Sequence, residues 1–361
     1  MHERAAHAVG LELPAGATGR WRSELVALAL LCSCGSSGGK GSATDDGASG
    51  AGGSGTLLSG PNGSAGSSAQ PASGEGPHIG GCAVFPADNA WNRDVSGLPL
   101  RANSDAIIDA IGREDRVHPD FGTEWEGAPI GIPFVTVSGA QARVPIEFTA
   151  YGDESDPGPY PVPRDAPVEG GSQGDGDRHV LVVDTDACML YELYRAFPGA
   201  GGAWSADSGA VFDLSRNDEH PLTWTSADAA GLPILPGLVR YDEVVTEGAL
   251  HHAVRFTVSR SRRAIVAPAR HHAGSSDASD LPPMGLRLRM KQSFSCGGFS
   301  PPAQVVCAGL KRYGLIVADN GSDWYLSGAP DARWDDDAIG DLKTVTGNAF
   351  EVVDTGPIET Y

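Results

Sequence analysis

Two histidine pairs, His251-His252 and His271-His272, bracket a run that also holds Arg255, Arg260, Arg262, Arg263 and Arg270. Imidazoles move protons near neutral pH, and guanidinium groups hold anionic or polarised oxygens. The polar turn Ser259–Arg262 predicts a hairpin with one histidine pair at each open end. With the turn centred between Arg260 and Ser261, His251 faces Arg270. Strand alternation then puts His251, Arg255 and Arg270 on one face, with His272 just beyond. Val254, Phe256, Val258, Ile265 and Ala267 fall on the other face, which is apolar enough for a core. His251, Arg270 and His272 are thus catalytic candidates, and Arg255 is a substrate-binding one.

A second hairpin is expected from His179–Asp184 and Cys188–Tyr194 around Thr185–Ala187. With Val183 opposite Cys188, His179 lies opposite Glu192. A carboxylate beside an imidazole orients the ring and raises its basicity, so this pair is a candidate acid/base unit. The blander reading, a cross-strand ion pair of small energy, is the more frequent one for such a pair. Asp177, just before it, is a candidate substrate contact.

Glycoside hydrolysis needs two carboxyls about 5 to 10 Å apart. Glu169, Asp177, Glu192, Asp242 and Asp319 are candidates, and no spacing selects two of them. A lyase on a uronic-acid polymer needs instead a cation to neutralise the carboxylate and a His or Tyr base, which His251, Arg270, His272 and a nearby Tyr would supply. A metal is not expected, because strand neighbours point to opposite faces and His-Glu-x-x-His does not occur. Gly-x-Ser-x-Gly and Walker-type loops do not occur either, and no cofactor is expected. Trp204, Trp224, Trp324 and Trp334 sit in Gly/Asp/Ser-rich contexts. Such rings stack on sugars or cap a core, and Trp324 is taken as the stacking candidate.

The chain carries a formal net charge of −20, which argues against nucleic acid as a partner. Within it, Arg255–Lys291 holds eight Arg and Lys against Asp277 and Asp280. This positive island either holds an anionic group or pairs with the surplus carboxylates.

Leu25–Leu31 is a short apolar run after Arg20 and Arg22, long enough for a signal-peptide core and too short to span a bilayer. Leu31-Cys32-Ser33-Cys34 resembles a bacterial lipoprotein processing site, with Cys34 as the lipidated first mature residue. Residues 34–76 are Gly- and Ser-rich and read as a disordered tether, leaving 77–361 as one domain. The expected location is the cell surface or periplasm as an anchored lipoprotein, or else secreted. Cys82, Cys188, Cys296 and Cys307 remain in the domain. In an exported chain they favour two disulfides, with three connectivities open. Cys296 with Cys307 is the more local option, which leaves Cys82 to Cys188.

Short alternating runs and frequent Pro and Gly predict an all-β or β-rich fold, a single β-sandwich or jelly-roll-like domain with a few short peripheral helices. Gly131–Val137 and Ala142–Thr149 are expected to pair. Leu315–Asp319 and Trp324–Leu326 are expected to form a hairpin around Asn320-Gly321. Helices are expected over Ser104–Ile111, Pro302–Tyr313 and Asp335–Leu342. The Pro-rich Asp156–Arg164 is expected to run extended over the surface.

Phe85-Pro-Ala-Asp-Asn-Ala-Trp-Asn92, Asp156-Pro-Gly-Pro-Tyr-Pro161, Gly176–Asp184, Trp224–Arg240, Leu250–His271 and Tyr313–Gly321 together resemble a group of uncharacterised exported proteins from high-GC bacteria. The resemblance covers nearly the whole domain. It implies export and a single domain, and it carries no reaction and no catalytic residue. The expected function is that of a surface-tethered carbohydrate-active enzyme on an extracellular polysaccharide, a hydrolase before a lyase. The alternative is a non-catalytic module that binds a glycan or a protein.

Overall fold

The structure, a computed structural model, describes residues 76–361. The signal segment, Cys34 and all of the tether but its last residue lie outside the described residues. The protein is β-rich, with 27 % strand against 17 % helix, and its several sheets include a curled half-barrel. No single clear sandwich is formed, because the strands divide among several sheets that differ in size.

Two sheets position the polar centre of the molecule. The first has the strand order Ser208–Asp213, Met189–Tyr194, Val180–Asp184, Phe134–Val137. Both of its faces are covered. Leu181, Val183 and Leu190 enter the main core, while Val180, Val182, Tyr191 and Leu193 enter a second one with Tyr160, Val162 and Trp204. Val180–Asp184 is buried along its whole length, as its unbroken apolar run requires. The Pro-rich stretch therefore does not lie on the surface throughout. It runs extended, but Tyr160 exchanges backbone hydrogen bonds with Val144 and closes the second core.

The larger sheet has the order Phe350–Val352, Arg287–Met290, Leu315–Asn320, Val254–Val258, Tyr325–Ser327, His118–Asp120. Two expected hairpins are overturned here. Val254–Val258 does not pair with Arg262–Ile265. It inserts between Leu315–Asn320 and Tyr325–Ser327, so those two strands do not pair with each other across Asn320-Gly321. Arg262–Ile265 pairs instead with Pro283–Met284. The expected pairing of Gly131–Val137 with Ala142–Thr149 also fails: Phe134–Val137 lies parallel to Val180–Asp184, and Ile146–Phe148 lies parallel to Trp204–Ala206. Val254–Val258 and Phe134–Val137 take partners distant in sequence within larger sheets, which bury apolar faces that a two-stranded hairpin leaves in water.

Helices form at Ser104–Ile111 and Pro301–Arg312 as expected. The third is a short α-helix, Asp336–Ile339, capped by the Asp335 carboxylate and continued by a 3-10 turn, Gly340–Thr344. Disulfides join Cys82 to Cys188 and Cys296 to Cys307. They point to an oxidising, extracytoplasmic compartment. Among the described residues no helix is long and apolar enough to cross a membrane.

Candidate functional site

The site begins with Arg255, a guanidinium on a central strand with only 4 % of its surface exposed. A buried cation needs counter-charges. Asp228 grips it with both oxygens, at 2.9 Å on Nε and 2.8 Å on Nη2. Asp319 meets Nη2 at 2.9 Å, and the Ser327 hydroxyl accepts from Nη1 at 2.7 Å. The strand register explains Asp319. Arg255 is level with Ile316 and Phe256 with Val317, but Thr257 is level with Asp319, so Ala318 is an extra residue in a β-bulge. Without the bulge Asp319 would point to the face opposite Arg255; with it, the carboxyl joins Arg255 on one face.

His179 lies beside this cluster and is buried. Its carboxylate partner is Glu169, with Oε2 2.6 Å from Nδ1, and its Nε2 lies 3.0 Å from the Ala227 carbonyl. Both ring nitrogens therefore face acceptors, which only the doubly protonated ring satisfies. Burial works against that cation, but the Glu169 charge prevails and raises His179 to about 9. Glu169 is held low in return, against the effect of its own burial.

The expected His179–Glu192 pairing is corrected by a register shift of two residues. Glu192 lies opposite Leu181, with the turn widened to Thr185–Cys188 between Asp184 and Met189. His179 instead lies near Tyr194, ring centroids 5.7 Å apart. The Glu192 carboxyl is sealed from solvent and accepts from the Ile234 and Leu235 amides at 2.9 to 3.0 Å. It anchors the 3-10 turn Leu235–Gly237, which lies against Arg255 so closely that a Cβ on Gly237 would come within 2.7 Å of the Arg255 Cβ. Burial pushes Glu192 up to about 7, against those two amide bonds. Glu192 thus fastens one sheet to the other and is not placed to meet a substrate.

Asp319 is placed to do so. Its side chain is 20 % exposed. It opens on a cleft of about 250 Å³ that Asp177, Tyr151, Tyr194, Thr225 and His271 also line. Burial, and then the neighbouring Asp228 charge, push the Asp319 carboxyl up to about 7 despite Arg255 and His179. Asp120, on the edge strand, is likewise raised by burial. His179 and Arg255 thus balance Glu169 and Asp228, and Asp319 shares Arg255 as the third carboxyl of the cluster, raised above the usual carboxylate range.

The other candidates scatter. Arg270 pairs with Glu219 at 2.9 Å and lines a different cleft. His272 stands against Tyr361, with centroids 4.8 Å apart, and its Nδ1 has no partner among the described residues. His251 is half-buried beside His252, which is wholly buried and bonded to Glu243 at 3.1 Å. Glu243 also holds Arg240, and this second ion cluster flanks a larger cleft of about 1210 Å³. The four residues His179, Glu192, His251 and Arg270 do not converge on one cleft. Arg255 is an internal counter-ion and not a surface substrate contact, since its strand is covered on both faces. Trp324 is not a sugar platform. It is fully buried, donates to the Gly112 carbonyl at 2.8 Å and stacks on Phe256 and Phe350. Among the described residues the exposed tryptophan is Trp125, at 72 %, on a tight hairpin whose Glu124 and Pro129 line the larger cleft. Its signal was the Glu126-Gly127 turn, where both residues have positive φ. Asp228 carried no signal, because it sits among alanines in an irregular loop.

Among the described residues no group of three or more His, Cys, Asp or Glu is arranged to hold a metal ion. Comparison with protein-family models, with curated proteins and with solved structures gives no match.

Proposed function

We propose that the protein is a carbohydrate-active hydrolase whose working cleft lies over Asp319, held at the cell surface by a lipid on Cys34 and the Gly/Ser-rich segment that follows it. The observation that carries the reading is a partly exposed carboxyl lining an open cleft, which burial and the neighbouring Asp228 charge push upward. A carboxyl shifted upward in this way is suited to donate to a leaving glycosidic oxygen. Asp177, on the same cleft, is the second carboxylate, able to activate water or attack the sugar. Tyr194 and Tyr151 offer flat rings with polar edges to a pyranose. His179 is not the base in this scheme, since it is buried and already protonated. It acts with Arg255 to set the Asp319 proton affinity.

The test is the purified chain on a panel of extracellular polysaccharides, read as new reducing ends. Wild type is expected to release them from at least one polymer, with the rate falling as pH rises past about 7. Asp319→Asn is expected to lower the rate by about 10²- to 10⁴-fold while leaving the thermal midpoint near wild type. A panel that yields no reducing ends, or an Asp319→Asn variant as fast as wild type, overturns the reading. Absorbance from unsaturated uronates would reassign the reaction to a lyase.

A further inference from the structure

Four of the eight basic residues of the Arg255–Lys291 island are spent on ion pairs, Arg263 with Asp277 among them. Arg255 holds Asp228 and Asp319, Arg270 holds Glu219, and Arg289 holds Glu351 at 2.8 Å. Arg287 differs. It lies on the same strand as Arg289, two residues away and so on the same face, and only 3 % of its surface is exposed. Arg289 donates to Glu351 from Nε and to the carbonyls of Val95, Ser96 and Leu98 from Nη1. Arg287 donates only from Nη2, to the carbonyls of Ala90 and Arg93. No carboxylate among the described residues pairs with it, and its Nε–H finds no acceptor.

This guanidinium borders a pocket of about 210 Å³. Arg93 lines the same pocket and adds a second positive charge. The buried Thr355 hydroxyl there also has no partner among the described residues. Burial, and then the Arg93 charge, lower Arg287 to about 9, as expected for a cation next to another cation with no anion between them. Two acids also line the pocket: Glu219 is paired with Arg270, and Asp88 accepts from the neutral Asn217 amide at 2.9 Å.

We propose that this pocket is an oxyanion-binding site, in which Arg287, Arg93 and Thr355 hold a single carboxylate, sulfate or phosphate group. A buried guanidinium with unused donors is a strong and costly anion receptor, and an oxyanion supplies both the missing charge and the missing acceptors. The site is separate from the Asp319 cleft and stands whether or not that cleft is catalytic. Its ligand is either a free inorganic ion or a group borne on a larger molecule such as an acidic sugar.

The experiment is titration of the full exported chain with sodium sulfate, phosphate, acetate and glucuronate at constant ionic strength, against chloride, read by calorimetry and thermal midpoint. Wild type is expected to bind at least one of them saturably. Arg287→Met is expected to weaken that binding more than about tenfold, and Arg93→Gln or Thr355→Val by about three- to tenfold. The last two change a pocket-lining side chain that makes no ion pair, so they read the site even where Arg287→Met does not fold. Glucuronate binding tighter than acetate assigns the site to a sugar-borne carboxylate, and sulfate or phosphate binding tighter than both assigns it to an inorganic ion. Saturation no different from chloride in wild type, or equal affinity in Arg93→Gln and Thr355→Val, overturns the proposal.

Discussion

Arg255 and Asp228 form an ion pair that the core tolerates only whole. Each is buried, and each is the other's main counter-charge. Arg255→Met therefore leaves Asp228 uncompensated and is expected to cost about 3 to 5 kcal/mol of unfolding free energy, measured by urea denaturation at pH 7. Adding Asp228→Leu is expected to recover part of that loss, because the stranded charge is then gone. A single variant as stable as wild type would show that solvent reaches the pair. At this scale the sequence was legible where charge stood inside an apolar run. Arg255 between Val254 and Phe256, His179 before Val180 and Asp319 after Ala318 were all visible as candidates. Their roles were not, because a counter-ion such as Asp228 comes from a loop with no periodicity to place it.

The elements owe their arrangement to contacts between distant segments, and the disulfides show how far apart these lie. Cys82 and Cys188 are 106 residues apart, against 11 for Cys296 and Cys307. In the chain-entropy model the long loop is worth about 4 to 5 kcal/mol and the short one about 3. Cys82→Ser/Cys188→Ser is thus expected to lower the guanidinium midpoint more than Cys296→Ser/Cys307→Ser does. The reverse order would mean that the long loop is already constrained in the unfolded chain. The pairing of the disulfides was readable from locality. The pairing of the strands was not: Val254–Val258 carries a proper alternation, but alternation names a face and not a neighbour. The bulge at Ala318 was equally invisible, since it exists only in relation to the strand beside it.

Across the whole molecule the buried polar centre sets the pH response. Glu192 and Asp319 are raised to about 7 and His179 to about 9. All three hold protons that the unfolded chain releases earlier. Between about pH 4 and 9 the native state therefore binds more protons than the unfolded state, and stability falls as pH rises. Glu169, Glu243, Asp94 and Asp213 are shifted down, so their contribution is lost on the acid side. The thermal midpoint is expected to peak near pH 4 to 5 and decline toward pH 9, in a scan at constant ionic strength. Glu192→Gln is expected to flatten the limb between about pH 4 and 7, because the amide still accepts from Ile234 and Leu235 but no longer titrates. A midpoint that rises from pH 5 to 8 would show that these carboxyls ionise freely in the native state.

By itself the sequence determined the β-rich class, the places of three helices, the expectation of two disulfides with the local pairing favoured, and the surplus of acid. These follow from local periodicity, from Pro and Gly, and from counting. Only the tertiary structure decided which strands adjoin, that the paired histidines part company, that Arg255 turns inward and that Arg287 is left without a carboxylate. Burial and counter-charge are properties of neighbours in space. A sequence shows which residues would need such neighbours, and the fold chooses which of them receive one.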